Sequence, residues 1–172
     1  MAEPNVRPTM DLAAGREVLA ATLPRVLSTI GAASLGDLSW RQLNTNTLLI
    51  PMEGSLEGVK ESYLLKLHFR TSTDWPPSAQ FVSPVTLNYE LGQDRHHLPN
   101  LQSPEAYVHP AYQAHGREQQ LICCSATFEF YDVLHSVEPR HVWKSTDTFL
   151  VTLRAIERAM ATHYHGRLPP NG

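Results

Sequence analysis

The residues best equipped for covalent chemistry are two neighbours, Cys123 and Cys124, the only cysteines in the 172-residue chain. Adjacent cysteines rarely bridge each other, so the sequence offers no disulfide framework. A thiol that acts as a nucleophile must be partly exposed, not sunk in apolar packing. The run Leu121 to Tyr131 alternates, with Ile122, Cys124, Ala126, Phe128 and Phe130 on one face, and reads as a strand. If that face is buried, Cys123 points out as the candidate nucleophile and Cys124 points into the core. The alternative is that both are small buried hydrophobes, a common fate of cysteine. Ser125 is a third candidate, as an ester rather than thioester carrier, although nothing in the sequence visibly activates its hydroxyl. Attack on an acyl group makes an oxyanion that needs donors. Tyr112, Ser125 or backbone amides are the candidates.

Nine histidines also invite a metal reading. His135 and His141, with Glu138 between them, form a loose cluster that a cysteine could complete, and zinc takes such ligands. No Cys-x-x-Cys or His-Glu-x-x-His motif is present, so no cofactor is expected and zinc is a minor reading. His163 and His165 diverge by about 200° in a regular helix and suit a helix end better than a shared metal.

Other elements must hold these residues in place. Residues 9–35 read as a helix, with Leu12, Leu19, Leu23, Val26, Leu27 and Ile30 in one stripe, Thr9 as cap, and Gly31 or Gly36 as stop. Pro24 is expected to kink or split it. Residues 38–83 read as three strands. The first holds Thr47-Leu48-Leu49-Ile50. Turns are expected at Glu53-Gly54-Ser55 and Glu57-Gly58. The second strand puts Tyr63, Leu65, Leu67 and Phe69 on one face, and the rigid turn Trp75-Pro76-Pro77 leads to Gln80-Phe81-Val82. Residues 88–118 show no clean period and read as a long loop. The strand over 121–131 would be the fourth. A last helix is expected from about Thr146 to Tyr164, with Phe149, Leu153, Ile156 and Met160 on its buried face, Ser145 as cap and Gly166 after its end. Strands grouped between two helices suggest an α+β layer. One domain over 9–166 is expected, with loose ends at 1–8 and 167–172.

Composition narrows the field. A hydrophobic share of 42% supports a real core, and a formal net charge of −3 argues against a large nucleic-acid footprint. No apolar run approaches the roughly 18 residues that span a membrane. The N-terminus lacks the charged-then-apolar order of a secretory signal, so a reducing cytoplasm is the expected compartment.

The order of these pieces resembles the ubiquitin-conjugating-enzyme family, the UBC fold, from about residue 11 to 165. Tyr63 to Phe69, then Asp74-Trp75-Pro76-Pro77, then Phe81-Val82 is similar to the family's strand, aromatic-proline turn and following strand. His109-Pro110-Ala111 is similar to its His-Pro-Asn triplet, with alanine in place of asparagine. Gly116, Ile122-Cys123, and Trp143 before a long helix match its glycine, its Ile-Cys pair and its later tryptophan. The stretches from Pro77 to His109 and from the cysteines to Trp143 are longer than usual, as in a divergent member like the bacterial proteins encoded beside ubiquitin-like modifiers. The resemblance implies an N-terminal helix, a four-stranded antiparallel meander, a long active-site loop and a C-terminal helix. It also implies an acyl-carrier cysteine at Cys123, a loop-organising His109, and as partners a ubiquitin-like modifier and its activating enzyme, the latter docking on the first helix. A non-catalytic adaptor on the same fold, or a metal-binding protein using the histidine-rich loops, are the alternatives.

Overall fold

Asp11 opens the first helix, α1 (Leu12–Ile30), by accepting the amide proton of Ala14 on its carboxylate. It takes the capping role expected of Thr9, and its charge also suits the positive helix end. The structure is a computed structural model that describes residues 6–133 and 139–170. α1 runs through Pro24 without the expected break. Pro24 and Ala20 both lie on the exposed side, so the Ala20 carbonyl that loses its donor can be hydrated. Gly31, at φ 85°, ends the helix, and its amide donates to the carbonyls of Leu27 and Ser28.

Four strands follow in a single antiparallel sheet: β1 (Arg41–Asn44), β2 (Thr47–Leu56), β3 (Val59–His68) and β4 (Ser78–Val82), ordered as in the chain. All four therefore lie before residue 83, where the sequence suggested three. The turn expected at Glu53-Gly54-Ser55 does not form. β2 stays paired with β3 as far as Leu56 opposite Val59, and the chain turns only at Glu57-Gly58, with φ values of 51° and 82°. Two positive-φ residues match the right-handed twist of a tight hairpin. Gly54 is needed inside the strand, because a Cβ there would lie 2.6 Å from the Tyr164 ring. Trp75-Pro76-Pro77 occupies the joint between β3 and β4, as expected.

One face of this sheet carries Leu48, Ile50 and Met52 from β2, Tyr63, Leu65 and Leu67 from β3, and Ala79 and Phe81 from β4, all buried. They share one core with Leu19 and Val26 of α1 and with Phe149, Leu153, Ile156 and Met160 of the last helix. In chain order the remaining elements are β5 (Pro99–Leu101), β6 (Tyr107–Ala114), β7 (Arg117–Cys123), α2 (Phe128–Asp132), α3 (Phe149–Thr162) and β8 (Tyr164–Arg167). α3 starts at Phe149 rather than Thr146, and Thr148 holds the cap position instead of Ser145. Across β5 and β8 a short ladder forms, and Arg167 is tied to the Glu61 carboxylate and to the carbonyls of His96 and Ser62. Tyr164 donates to Glu61 and lies 2.6 Å, oxygen to oxygen, from the Tyr63 hydroxyl.

Two sequence expectations fail in the second half of the chain. Residues 88–118 are not one loop: β6 and β7 form a hairpin that turns at His115-Gly116, both at positive φ. Pro110 sits where the hairpin register slips between His109 and Tyr112, which hides the strand pattern. The expected strand over 121–131 ends at Cys123, and the remainder becomes a turn and the short α2. In α2, Phe128, Glu129, Phe130 and Tyr131 are all buried. A helical turn buried on every side has no period, and its aromatic spacing imitates a strand.

The open edge of β4 is closed by side chains rather than by a strand. The Gln120 amide accepts from the Phe81 amide at 2.7 Å and donates to the Phe81 carbonyl at 2.8 Å. Glu129 accepts from the Ser78 hydroxyl and, at 3.2 Å, from the Ala79 amide. Full burial pushes the Glu129 carboxyl above its usual range, against the opposing effects of Ser78 and Arg70. An acid whose folded pKa is raised binds its proton more tightly when folded. Its contribution is complete below the unfolded value near 4.5 and is lost as pH climbs through the higher folded value. Glu129→Gln keeps one acceptor for Ala79 and gives Ser78 a donor. We expect the variant to lack this loss and to gain stability relative to wild type as pH rises above 4.5, measured by urea titration at several pH values. A stability difference independent of pH would contradict the assignment.

Candidate functional site

The β6–β7 hairpin sets Tyr107 opposite Cys123, Val108 opposite Ile122 and His109 opposite Leu121. Opposed residues share a face and faces alternate along a strand, so Cys123, Tyr107 and His109 lie on one side. Val108 and Ile122 lie on the other and join the core. Cys123 is half-buried at the last position of β7, while Cys124 is buried, at 3% exposure. The Tyr107 and His109 rings are 4.5 Å apart between centroids, and His109 and Tyr112 are 5.3 Å apart. The structure thus brings His109 and Tyr112 together along β6, and the register adds Tyr107, which sequence reasoning missed. Its signal was only its place two residues before His109, which means nothing until the hairpin register is known.

Immediately after Cys123 the chain is tightly held. The Thr127 hydroxyl donates to the carbonyls of Ile122 and Cys124, and the Thr127 amide closes a turn onto Cys124. Tyr131 donates its hydroxyl proton to the Ser125 carbonyl and accepts from the Trp143 amide. Trp143 in turn donates its indole N–H to the Thr73 carbonyl, 3.0 Å away in the joint before Trp75. Three distant segments are locked around the cysteine pair by these bonds.

Ser125 is buried, and its Oγ accepts the backbone amide proton of His141 at 3.1 Å. His141 Nε2 lies 2.7 Å from the Asp147 carboxylate, whose oxygen also accepts the Lys144 amide. Cys124, Ser125, His141 and Arg158 line a pocket of about 240 Å³ to which Cys123 does not contribute. Of the zinc candidates, His135 and Glu138 lie outside the described residues. Among the described residues no group of three or more His, Cys, Asp and Glu side chains is gathered as a metal site requires.

Burial raises both thiols, Cys123 to about 11 and Cys124 to about 12. For Cys123 the cause is burial, which disfavours the charged thiolate. Its alkylation by iodoacetamide is therefore expected to be slow at pH 7 and to keep rising through pH 10, because only the thiolate reacts. Mass-spectrometric mapping checks this, with Cys124 left unmodified in the folded chain. A rate at Cys123 that levels off near pH 8 would contradict the assignment.

The fold and this site define an α+β protein with an N-terminal helix, a four-stranded antiparallel sheet and a C-terminal helix, carrying a half-buried cysteine at a strand end. No protein-family model, no curated protein and no solved structure matches the chain. No helix among the described residues is long and apolar enough to cross a membrane.

Proposed function

We propose that this chain is a conjugating-enzyme-like carrier on a UBC-like fold, taking the C-terminal acyl group of a ubiquitin-like modifier as a thioester on Cys123. The observation that carries the reading is the setting of that cysteine. It ends a hairpin strand between two buried neighbours, Ile122 and Cys124, and faces the strand bearing His109-Pro110. The four-stranded meander with its Trp75-Pro76-Pro77 joint precedes it, and Trp143 and α3 follow it.

In loading, the Cys123 sulfur attacks the thioester carbonyl on the activating enzyme. A new C–S bond forms, the old one breaks, and the Cys123 proton leaves with the departing thiol. In transfer, an amine attacks the same carbonyl, a C–N bond forms, the C–S bond to Cys123 breaks, and the departing Cys123 sulfur takes a proton from the amine. Ala111 offers no side-chain donor to the oxyanion of either step. Tyr107, exposed on the cysteine's own face, supplies a phenol there.

The second reading, a non-catalytic adaptor that binds a modifier or partner protein, is favoured by one observation: burial holds the Cys123 thiol at about 11, so little thiolate stands ready at neutral pH. The two readings separate when the chain is incubated with an activating enzyme, its modifier and ATP and run on a non-reducing gel. A carrier gives a thiol-sensitive adduct; an adaptor gives none but retains the modifier on a column.

A further inference from the structure

A second pocket, of about 360 Å³, opens between the end of β3, the start of β7 and α2. Its carboxylates are already satisfied inside the protein. Glu129 is held by Ser78 and Ala79, Asp132 by the Arg7 guanidinium at 2.8 Å, and Glu118 by the Gln113 amide at 2.8 Å. Its donors are not. Among the described residues the Arg117 side chain has no hydrogen bond or ion pair. Among the described residues the Arg70 guanidinium likewise has no carboxylate within ion-pair distance. Its Nε makes a 3.4 Å contact to His68 Nδ1, and the guanidinium lies 5.7 Å from the centre of the Phe128 ring. Gln119 Nε2 is shut away from solvent and has no acceptor among the described residues. A buried donor without a partner is rare in a folded protein and calls for an acceptor.

We infer that this pocket binds a small oxyanion, a phosphate or a carboxylate, held between the Arg70 and Arg117 guanidiniums with the Gln119 amide behind them. The charge follows from the two guanidiniums, which have no ion-pair partner among the described residues, and from the buried Gln119 donor beside them. Guanidinium matches both oxyanions through paired N–H bonds. The anion would join the end of β3 to the first residue of β7, the strand that carries Cys123 at its other end. The inference stands apart from the conjugation reading and needs no modifier or activating enzyme.

Titration calorimetry of the full chain with inorganic phosphate and with malonate, against sodium chloride at matched ionic strength, tests it. Arg117→Gln is an exposed change that should leave the fold intact, Arg70→Gln is the partner variant, and Arg41→Gln, on β1, is the charge control. We expect saturable binding of at least one anion, weakened about tenfold or more by Arg117→Gln and unchanged by Arg41→Gln. Preference for phosphate would point to a phosphorylated ligand, and preference for malonate to a carboxylate. Binding of neither anion above the chloride control, or equal weakening by Arg117→Gln and Arg41→Gln, would overturn the inference. If Arg70→Gln does not fold, the comparison of Arg117→Gln with Arg41→Gln decides alone.

Discussion

Gly15→Ala is expected to destabilise the protein by about 3 kcal/mol or more, the largest loss from a single methyl group anywhere in α1. A Cβ at residue 15 would stand 2.1 Å from the Phe69 carbonyl oxygen, 2.6 Å from its carbon and 3.0 Å from the Arg70 nitrogen. All three are backbone atoms, so no rotamer relieves the clash. The helix cannot simply lift, because it is tied to the same strand end. The Asp11 amide donates to the Arg70 carbonyl at 2.7 Å, and the Asn46 side-chain amide bridges the carbonyls of Leu12 and Phe69. Against a total of about 5–15 kcal/mol for an ordinary domain, this leaves a much weakened fold. Gly36→Ala is the control, since a Cβ there meets only the Ser34 hydroxyl at 3.6 Å. Urea unfolding of both variants measures the difference. An unchanged midpoint for Gly15→Ala would show that α1 does not lie this close to β3.

Gln120→Ala is expected to cost about 2–4 kcal/mol, because it strips the Phe81 amide and carbonyl of their partners at one stroke. Gln120 is 1% exposed and Phe81 fully buried, so water cannot easily replace the lost bonds. Gln120→Leu separates the causes. It restores most of the volume but neither hydrogen bond, and should recover only part of the loss. A leucine variant as stable as wild type would mean that packing, not edge closure, is the role of Gln120. Because that glutamine and Glu129 end the sheet, β4 is also a poor template for an added strand.

The sequence was legible where one face of an element meets one kind of surroundings. The Tyr63, Leu65, Leu67 alternation and the Phe149, Leu153, Ile156, Met160 stripe each meet a core on one side and solvent on the other, so their periods survive. Trp75-Pro76-Pro77 was legible because proline restricts the backbone whatever surrounds it. β6 was not, since Pro110 interrupts its alternation at the register slip. α2 was not, since burial on all sides leaves no polar face to mark the turn. The expected strand over 121–131 therefore took its first residues correctly and failed at Cys124, where the Thr127 hydroxyl closes the turn.

In the site, the cysteine pair, Ser125 and Tyr112 could be nominated from residue type, and His109 from the resemblance of His109-Pro110-Ala111 to the family's His-Pro-Asn triplet. Their arrangement could not. Tyr107 faces Cys123 through a pairing sixteen residues long in sequence, fixed only once the turn at His115-Gly116 is made. The Ser125 hydroxyl looked like a possible ester carrier, but its oxygen accepts the amide of His141, a residue the sequence offered only as a loose zinc ligand with His135 and Glu138. Buried partners such as Gln120 with Phe81, or Tyr131 with Trp143, leave no local trace, because they depend on which segments the fold brings together.

On the proposed function, Cys123 alone carries the acyl group. The most direct measurement charges wild type, Cys123→Ala, Cys124→Ala and Ser125→Ala with an activating enzyme, its modifier and ATP, and resolves the products on non-reducing gels with and without thiol. A thiol-sensitive adduct is expected in wild type that disappears in Cys123→Ala and persists in Cys124→Ala and Ser125→Ala. A thiol-resistant adduct lost only in Ser125→Ala, or no adduct in wild type with the modifier still bound, would contradict it.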